Sequence, residues 1–410
     1  MRSSARDLGV SLYLVGGSVR DLLLGRNTTD LDLVTESDGP TLASSVVDRL
    51  GGRLTVHREF GTATLRLQGL RLDFSTARRE SYPRPGALPE VVPSDLDDDL
   101  RRRDFSINAM ALGLVGDAES RIIDPCGGWE DLERGIVSVL HPGGFTDDPT
   151  RMFRAVRYEQ RLGLGIANET LRLLQEALAQ NALSTVSGDR IRHELELIFD
   201  EDRCVAVLLR ADTAGLLAAV NPGLRAGRLR SLEAGRNQLL AYLAGLAYSL
   251  SPQQAEGCIS RLNMPRSWAW VVRDTVALRS REDDLCATGL RPSEVVEMLE
   301  GRHLCALEAV SRLCALPLAA QRIACYLSEW RHAVPVLRGD DLSQLGVRPG
   351  RETGLILKAL NRARLDGEVS RREEEVALVE RILEAGPLEL GIIEPERTES
   401  GLMEGVGGAA

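Results

Sequence analysis

With 410 residues, 43% of them hydrophobic and 27% charged, the chain is long enough for two to four domains of ordinary globular composition. No run of 18 apolar residues occurs, so no membrane span is predicted. A net charge of −10 argues against a generic nucleic-acid coat, yet the basic residues are arginines except for Lys358 and they cluster, as in RRR at 101–103 and RMFRAVRYEQR at 151–161.

Such clusters can hold RNA on a net-acidic protein, because charges elsewhere are screened beyond roughly 8 Å at physiological salt. The opening MRSSARDLGVSLYLVGG predicts no signal peptide, since its apolar stretch is short. The seven cysteines are scattered without a CxxC pair, which argues against a zinc site or a disulfide framework and predicts a cytoplasmic protein.

Residues 12–76 read as mixed α/β. YLVG is a short strand, SVRDLLLG a helix closed by Gly25, LDLV a strand of period two, and PTLASSVVDRLG a second helix. TATLRLQ and LRLDFST follow as strands joined at Gly69. Residues 77–100, rich in proline and charge, are expected to form a long loop. After about residue 140 the strand signals fade and helical periodicity takes over. Breaks near 221–227, 251–252 and 333–350 suggest helical subdomains, and 396–410, ending in GVGGAA, is expected to be disordered.

The most informative stretch is LYLVGGSVRDLLLGRNTTDLDLV. Asp30 and Asp32 lie two apart on a predicted strand and so share a face. Paired carboxylates suit Mg²⁺, which takes one or two of them together with phosphate oxygens. On its own such a pair reads more readily as two solvated acids on an edge strand. Gly16 and Gly17 ahead of it let the backbone approach a phosphate, and Arg20, one turn into the next helix, can reach the same group. Asp73, in LRLDFS, is a candidate third carboxylate or a solvated strand acid.

GGSVRD followed by DLDL resembles the first motif of the class II tRNA nucleotidyltransferase and bacterial poly(A) polymerase family. RRRDFSINAMA (101–111) is similar to its sugar-recognising motif, DPCGGWEDL (124–132) to the segment closing its head, and DDPTRMFRAVRY (147–158) to its nucleobase-reading motif. SGDRIRHEL (187–195) resembles the brace of its neck, and RGDDLSQLGVRPGRETGLIL (338–357) its tRNA-contacting tail. Together these cover about residues 10–370 in the family's order.

The resemblance implies a polymerase-β-like α/β nucleotidyltransferase head (1–140), a nucleobase-reading helical neck (141–200), an RNA-binding helical body (201–332) and a tRNA-binding helical tail (333–395), hence an α/β head followed by an all-α region. It implies Mg²⁺ held by Asp30 and Asp32, with Asp73 as a further catalytic carboxylate. Nucleotide binding would fall to Gly16, Gly17, Arg20, Asp21, Arg103, Asp104, Asn108, Asp148, Arg151, Arg154 and Arg157. Arg103 can meet phosphate while Asp104 and Asn108 face ribose hydroxyls. Pro149 suits a first helical position, which makes Asp148 an N-cap, with Arg151, Arg154 and Arg157 following along one side of the helix.

An acid and an arginine one turn apart can imitate a base edge, and the family assigns that role to Asp148 and Arg151. The five histidines form no HxxxxHD or HExxH pattern, and His193 reads as structural. The expected partners are tRNA, CTP and ATP, with no membrane. The expected reaction is CCA addition, with A-only, CC-only and poly(A) synthesis as alternatives within the family and a non-catalytic RNA-binding protein as the alternative outside it.

Overall fold

The computed structural model describes residues 1–232 and 238–385, so the stretch 396–410, expected to be disordered, lies outside the described residues. The chain forms two compact units, Met1–Val276 and a second from Ala277 onward. No helix among the described residues is long and apolar enough to cross a membrane.

In the first unit, helix α1 (Arg2–Asp7) precedes strand β1 (Leu12–Val15), helix α2 (Gly17–Leu23), strand β2 (Asp30–Thr35), helix α3 (Gly39–Leu50) and strands β3 (Arg53–His57), β4 (Thr62–Leu67) and β5 (Leu70–Thr76). With β8 (Ala111–Val115) and β9 (Ile122–Ile123), which follow later in the chain, these five strands form a seven-stranded sheet of order β3-β4-β5-β2-β1-β8-β9. Within this sheet only the β2–β5 pair is parallel. The β4–β5 turn has just Gln68 and Gly69 between paired Leu67 and Leu70, both at positive φ (49° and 83°), as a tight hairpin with the twist of its strands requires.

Period-two alternation decides which face each side chain takes. Leu31 and Leu33 of β2, Leu65 of β4, and Leu72 and Phe74 of β5 pack with Leu42, Ala43 and Val46 of α3 in the main core. Tyr13, Val15 and Val34 point the other way and pack with Leu96 and Leu100. Asp30 and Asp32 belong to this second face, at the end of β2 that the apolar layer does not cover.

The segment 77–100 is not the long loop expected. It folds as a hairpin, β6 (Arg78–Ser81) paired antiparallel with β7 (Glu90–Pro93), followed by helix α4 (Leu96–Arg101) capped by the Asp95 carboxylate. The prolines that suggested a loop sit in the hairpin's connection and at its final residue, where no ladder donor is needed. At the tip, the Gly86 N–H donates to the Asp147 carbonyl (3.1 Å) and its carbonyl accepts from Arg190 (3.0 Å).

Past the sheet, α5 (Gly128–Glu133) is held by Asp124, whose two carboxylate oxygens accept from Gly128 and Trp129 N–H at 2.8 and 2.9 Å. Short α6 (Gly144–Asp147), then α7 (Arg151–Leu162), α8 (Asn168–Ala179) and α9 (Gly188–Phe199), begin the helical remainder. Helix α7 starts three residues after Asp148 rather than one. Pro149 and Thr150 form a preceding turn, and Asp148 Oδ1 accepts from the Thr150 N–H (3.0 Å) and hydroxyl (2.6 Å). The second unit is helical. Its core includes Leu337, Leu342, Val347, Ile356, Leu360, Val379 and Ile382.

Candidate active site

Strand β1 ends at Val15 and the chain turns at Gly16 into α2. Gly16 has φ 70° and ψ −138°, a conformation that only glycine adopts readily. A Cβ there would lie 2.6 Å from Arg103 Nη1 and 3.7 Å from Asp32 Oδ2. The turn therefore needs glycine twice over, for its backbone angle and to let a guanidinium lie against it. Ser18, one residue into α2, donates its hydroxyl to the Asp30 carbonyl (3.0 Å) and accepts the Asp32 N–H (3.1 Å). That clasp sets the glycine turn against the strand carrying both carboxylates.

Along β2 and β5, Asp30 pairs with Arg71 and Asp32 with Asp73, so three carboxylates share one sheet face. Asp73 is engaged within the sheet, accepting from the Thr64 hydroxyl and from Arg71 Nε, the latter at 3.0 Å. Asp32 opens to solvent on one side, but the chain packed around its carboxyl pushes its pKa up. Arg103 and Arg71 oppose that push, and Asp73 and Asp30 add to it. Such a cluster of negative charge suits a cation. No three Asp, Glu, His or Cys side chains converge among the described residues as a self-sufficient metal site. Two exposed oxygen ligands fit instead a hard divalent ion that completes its shell with phosphate and water.

A connected polar network walls the cleft. Buried Arg20 donates to Asp21 Oδ1 (2.9 Å) and to Asn108 Oδ1 (2.5 Å), with its guanidinium 5.3 Å from the Tyr158 ring centroid. Asn108 donates to Asp104 Oδ1 (3.1 Å), and Asp104 Oδ2 pairs with Arg154 at 2.6 Å. Burial alone would raise the Asp104 pKa, but Arg154, the Asn108 amide and Arg151 hold it below the ordinary carboxylate range. Arg103 is aimed by Asp99, a wholly buried carboxylate that accepts from Arg103 (2.9 Å) and from Arg102 (2.7 Å).

Arg151 is buried, donates one Nη to the Arg102 carbonyl (3.1 Å) and leaves Nη1 without a partner. A buried, unfilled guanidinium donor beside a cavity is a place for a ligand acceptor. Asp148 pairs with Arg190 through Oδ1 at 2.8 Å.

One cleft of about 390 Å³ is lined by Gly17, Arg20, Asp32, Arg103, Asp104, Asn108, Asp148, Arg151 and Arg154. Gly16 and Asp21 support it from behind, through Arg103 and Arg20. Asp30 and Asp73 flank Asp32 on the sheet face. Arg157 is brought elsewhere. It pairs with Glu194 and Glu201 and lines a separate cavity with Arg26 and Arg203. Six residues of helix turn about 240° from Arg151, too far to share its face. His193 is exposed beside Glu196.

The sequence reading missed Glu80, Tyr82, Arg102 and Tyr158, which also line the cleft, along with Ser18, Asp99 and Arg190. Ser18, Arg102, Tyr158 and Arg190 lie inside the quoted motifs without having been singled out, and Asp99 stands four residues before Arg103, a spacing that lets it pair there.

Comparison with known proteins agrees with this architecture. Residues 12–138 match the Poly A polymerase head domain, and residues 163–227 match a probable RNA and SrmB- binding site of polymerase A. The A-adding tRNA nucleotidyltransferase of Geobacter sulfurreducens is 32% identical over 409 residues, covering 92% of this chain, which spans only 46% of that relative's length. The CC-adding tRNA nucleotidyltransferase of Deinococcus radiodurans is 32% identical over 381 residues, covering 92% of this chain and 90% of the relative. The solved Thermotoga maritima CCA-adding enzyme complexed with tRNA is similar with a TM-score of 0.73 at 27% identity, covering 93% of each chain. With matching head and RNA-binding segments and a relative aligned almost end to end, the chain belongs to the class II tRNA nucleotidyltransferase family.

Proposed function

We propose that the chain is a template-independent nucleotidyltransferase that adds CCA, or part of it, to the 3′ end of tRNA from CTP and ATP. The observation that carries this reading is the single cleft in which Asp32, Arg103 and Arg20 meet Asp148 and Arg151. Phosphate-binding cations and a base-sized donor–acceptor pair belong together only where a nucleotide is held. Asp30 and Asp32 would hold the divalent ion, Mg²⁺ by their all-oxygen character, whose chemistry is to acidify an attacking hydroxyl and neutralise phosphate charge.

Arg20 and Arg103, with the backbone at Gly16 and Gly17, bind and orient the triphosphate. Asp104 and Asn108 position the ribose. Asp148 accepts from the exocyclic amine that cytosine and adenine share, and Arg151 donates to the acceptor beside it. The RNA 3′-oxygen then forms its bond to the α-phosphorus as the bond to the leaving pyrophosphate breaks. The helices after residue 140 would serve as neck, body and tail for the tRNA, recognising it by backbone and shape.

A-only addition is a second reading. It is favoured by PRPGALP in the β6–β7 connection, which resembles relatives with divided labour, and by the Geobacter A-adding relative. The test is incubation with tRNAs ending before C74, at C75 and at A76, with CTP and ATP supplied separately. Extension of the end before C74 to C75 with CTP, together with extension of the C75 end to A76 with ATP, supports CCA addition, and growth only of the C75 end supports A addition. No extension of any end with either nucleotide refutes the proposal.

A further inference from the structure

Arg53, Arg66 and Arg71 lie in register across β3, β4 and β5, and the next position on that line is Asp30 of β2. The adjoining row runs Thr55, Thr64, Asp73, Asp32. Paired residues in neighbouring strands project to the same side, so both rows stand on the face that carries the carboxylates. Arg53, Thr55, His57, Thr64, Arg66 and Arg71 line a second depression of about 440 Å³ there. Leu54, Leu65 and Leu72 point away into the core under α3, which fixes the outward direction of the arginines.

Arg71 is paired with Asp73, but the side chains of Arg53 and Arg66 make no hydrogen bond or ion pair among the described residues. Elsewhere on this part of the molecule Arg6, Arg49, Arg79 and Arg101 each have a carboxylate partner. The nucleotide cleft lies on the β1–β8 side of Asp32, through Gly17, Arg103 and Asn108, and the arginine row lies on the other side. At about 4.8 Å per strand, Arg66 and Arg53 stand roughly 10 and 14 Å from Asp30.

We infer that Arg53 and Arg66 bind backbone phosphates of the RNA acceptor's 3′ strand as it approaches the carboxylates from the β3 edge. This rests on the proposed transfer to RNA. The chemistry of the row suits phosphates rather than bases. The Arg53 and Arg66 guanidiniums and the Thr55 hydroxyl are offered to anionic oxygens, while Thr64 and Arg71 are engaged by Asp73, and the lining holds no carboxylate or amide that would select a base. A contact of this kind is independent of sequence, as an acceptor strand shared by many tRNAs requires.

The experiment compares the wild type with Arg53→Gln/Arg66→Gln and Arg53→Lys/Arg66→Lys. Affinity for tRNA lacking CCA is read by fluorescence anisotropy across salt concentrations in EDTA, and the KM for CTP and ATP is read separately. The Gln pair is expected to bind tRNA at least about fivefold more weakly, with the log-affinity against log-salt slope shallower by roughly 1.4–1.8, for two lost phosphate contacts. The Lys pair keeps the slope, and the nucleotide KM values do not move. Arg53→Gln alone, on the edge strand, should show about half the slope change and decides the matter if the double variant folds poorly.

Unchanged tRNA affinity and slope overturn the inference. So does a raised nucleotide KM with intact tRNA binding, which would make the row a triphosphate site. A wild type that binds tRNA but extends no end would refute the proposed activity, while the binding comparison would still decide the row.

Discussion

Asp148→Asn reports most directly on how the base is chosen, because the surrounding hydrogen bonds dictate how the new amide must sit. Asp148 Oδ1 accepts from the Thr150 N–H, from the Thr150 hydroxyl and from Arg190. The Thr150 N–H and the Arg190 guanidinium can only donate, so the asparagine must keep its oxygen in that position. Its NH₂ then takes the place of Oδ2, the atom that no donor engages among the described residues of this cleft-lining side chain. An acceptor facing the base becomes a donor with almost no change in shape.

For CTP and ATP, the base amine now meets another donor, at about 1–3 kcal/mol for an unpaired polar contact. For UTP and GTP, the carbonyl in the same place gains a partner of similar worth. The two effects add to about 2–6 kcal/mol, so at about 1.4 kcal/mol per decade the preference for CTP over UTP should narrow by roughly thirtyfold or more. Competition between CTP and UTP on tRNA lacking CCA measures this ratio. Arg151→Ala should instead slow CTP and ATP together, because its free Nη1 serves both. If Asp148→Asn lowers every nucleotide by one common factor, the residue acts only as a cap for the turn before α7 and the base-reading assignment fails.

Asp30→Ala and Asp32→Ala should each abolish transfer, at a cost of several kcal/mol in transition-state stabilisation, while melting no lower than the wild type because like charges are removed. More than about a tenth of the rate surviving would contradict the metal assignment. Burial would raise the Asp99 pKa, but Arg103 and Arg102 hold it below the ordinary range. Its stabilisation is therefore fully present above the unfolded-state pKa of about 3.9 and is lost as pH falls through the lower folded value. Asp99→Asn should flatten the acid limb of the Tm–pH curve below about pH 4, and cost up to about 3 kcal/mol at neutral pH by leaving half-buried Arg103 without its carboxylate, while Arg102 keeps Glu80. An unaltered acid limb would refute that role. Shortening residues 82–93 removes the tip where Gly86 meets Asp147 and Arg190, beside the proposed base-reading pair. C addition should survive and the final A should fail, as read by product length, whereas equal loss of both would make the hairpin general scaffolding.

Much of the head was legible in the sequence because its information is local. Alternation in DLDLV and LRLDFS put Asp30, Asp32 and Asp73 on strands, and the glycine pair marked the turn. The hairpin at 78–93 was not legible, because prolines and charges dominate its composition while its pairing is long-range within the segment. Strand β3 also escaped notice, since RLTVH is short and faces solvent on one side.

The cleft divides along the same line. Residue types and spacing alone brought out carboxylates, glycines and arginines suited to a metal ion and a triphosphate. Only the tertiary structure decided which of them meet. Asp99 aims Arg103 at Gly16, Tyr158 lies against Arg20, and Arg190 reaches back from α9 to Asp148. Arg157, three residues beyond Arg154, turns to Glu194 and Glu201 instead. The physical reason is that a strand's period of two and a glycine's positive φ are properties of a few neighbouring residues. The partner of a buried guanidinium is whatever carboxylate the packing brings within about 3 Å, from any distance along the chain.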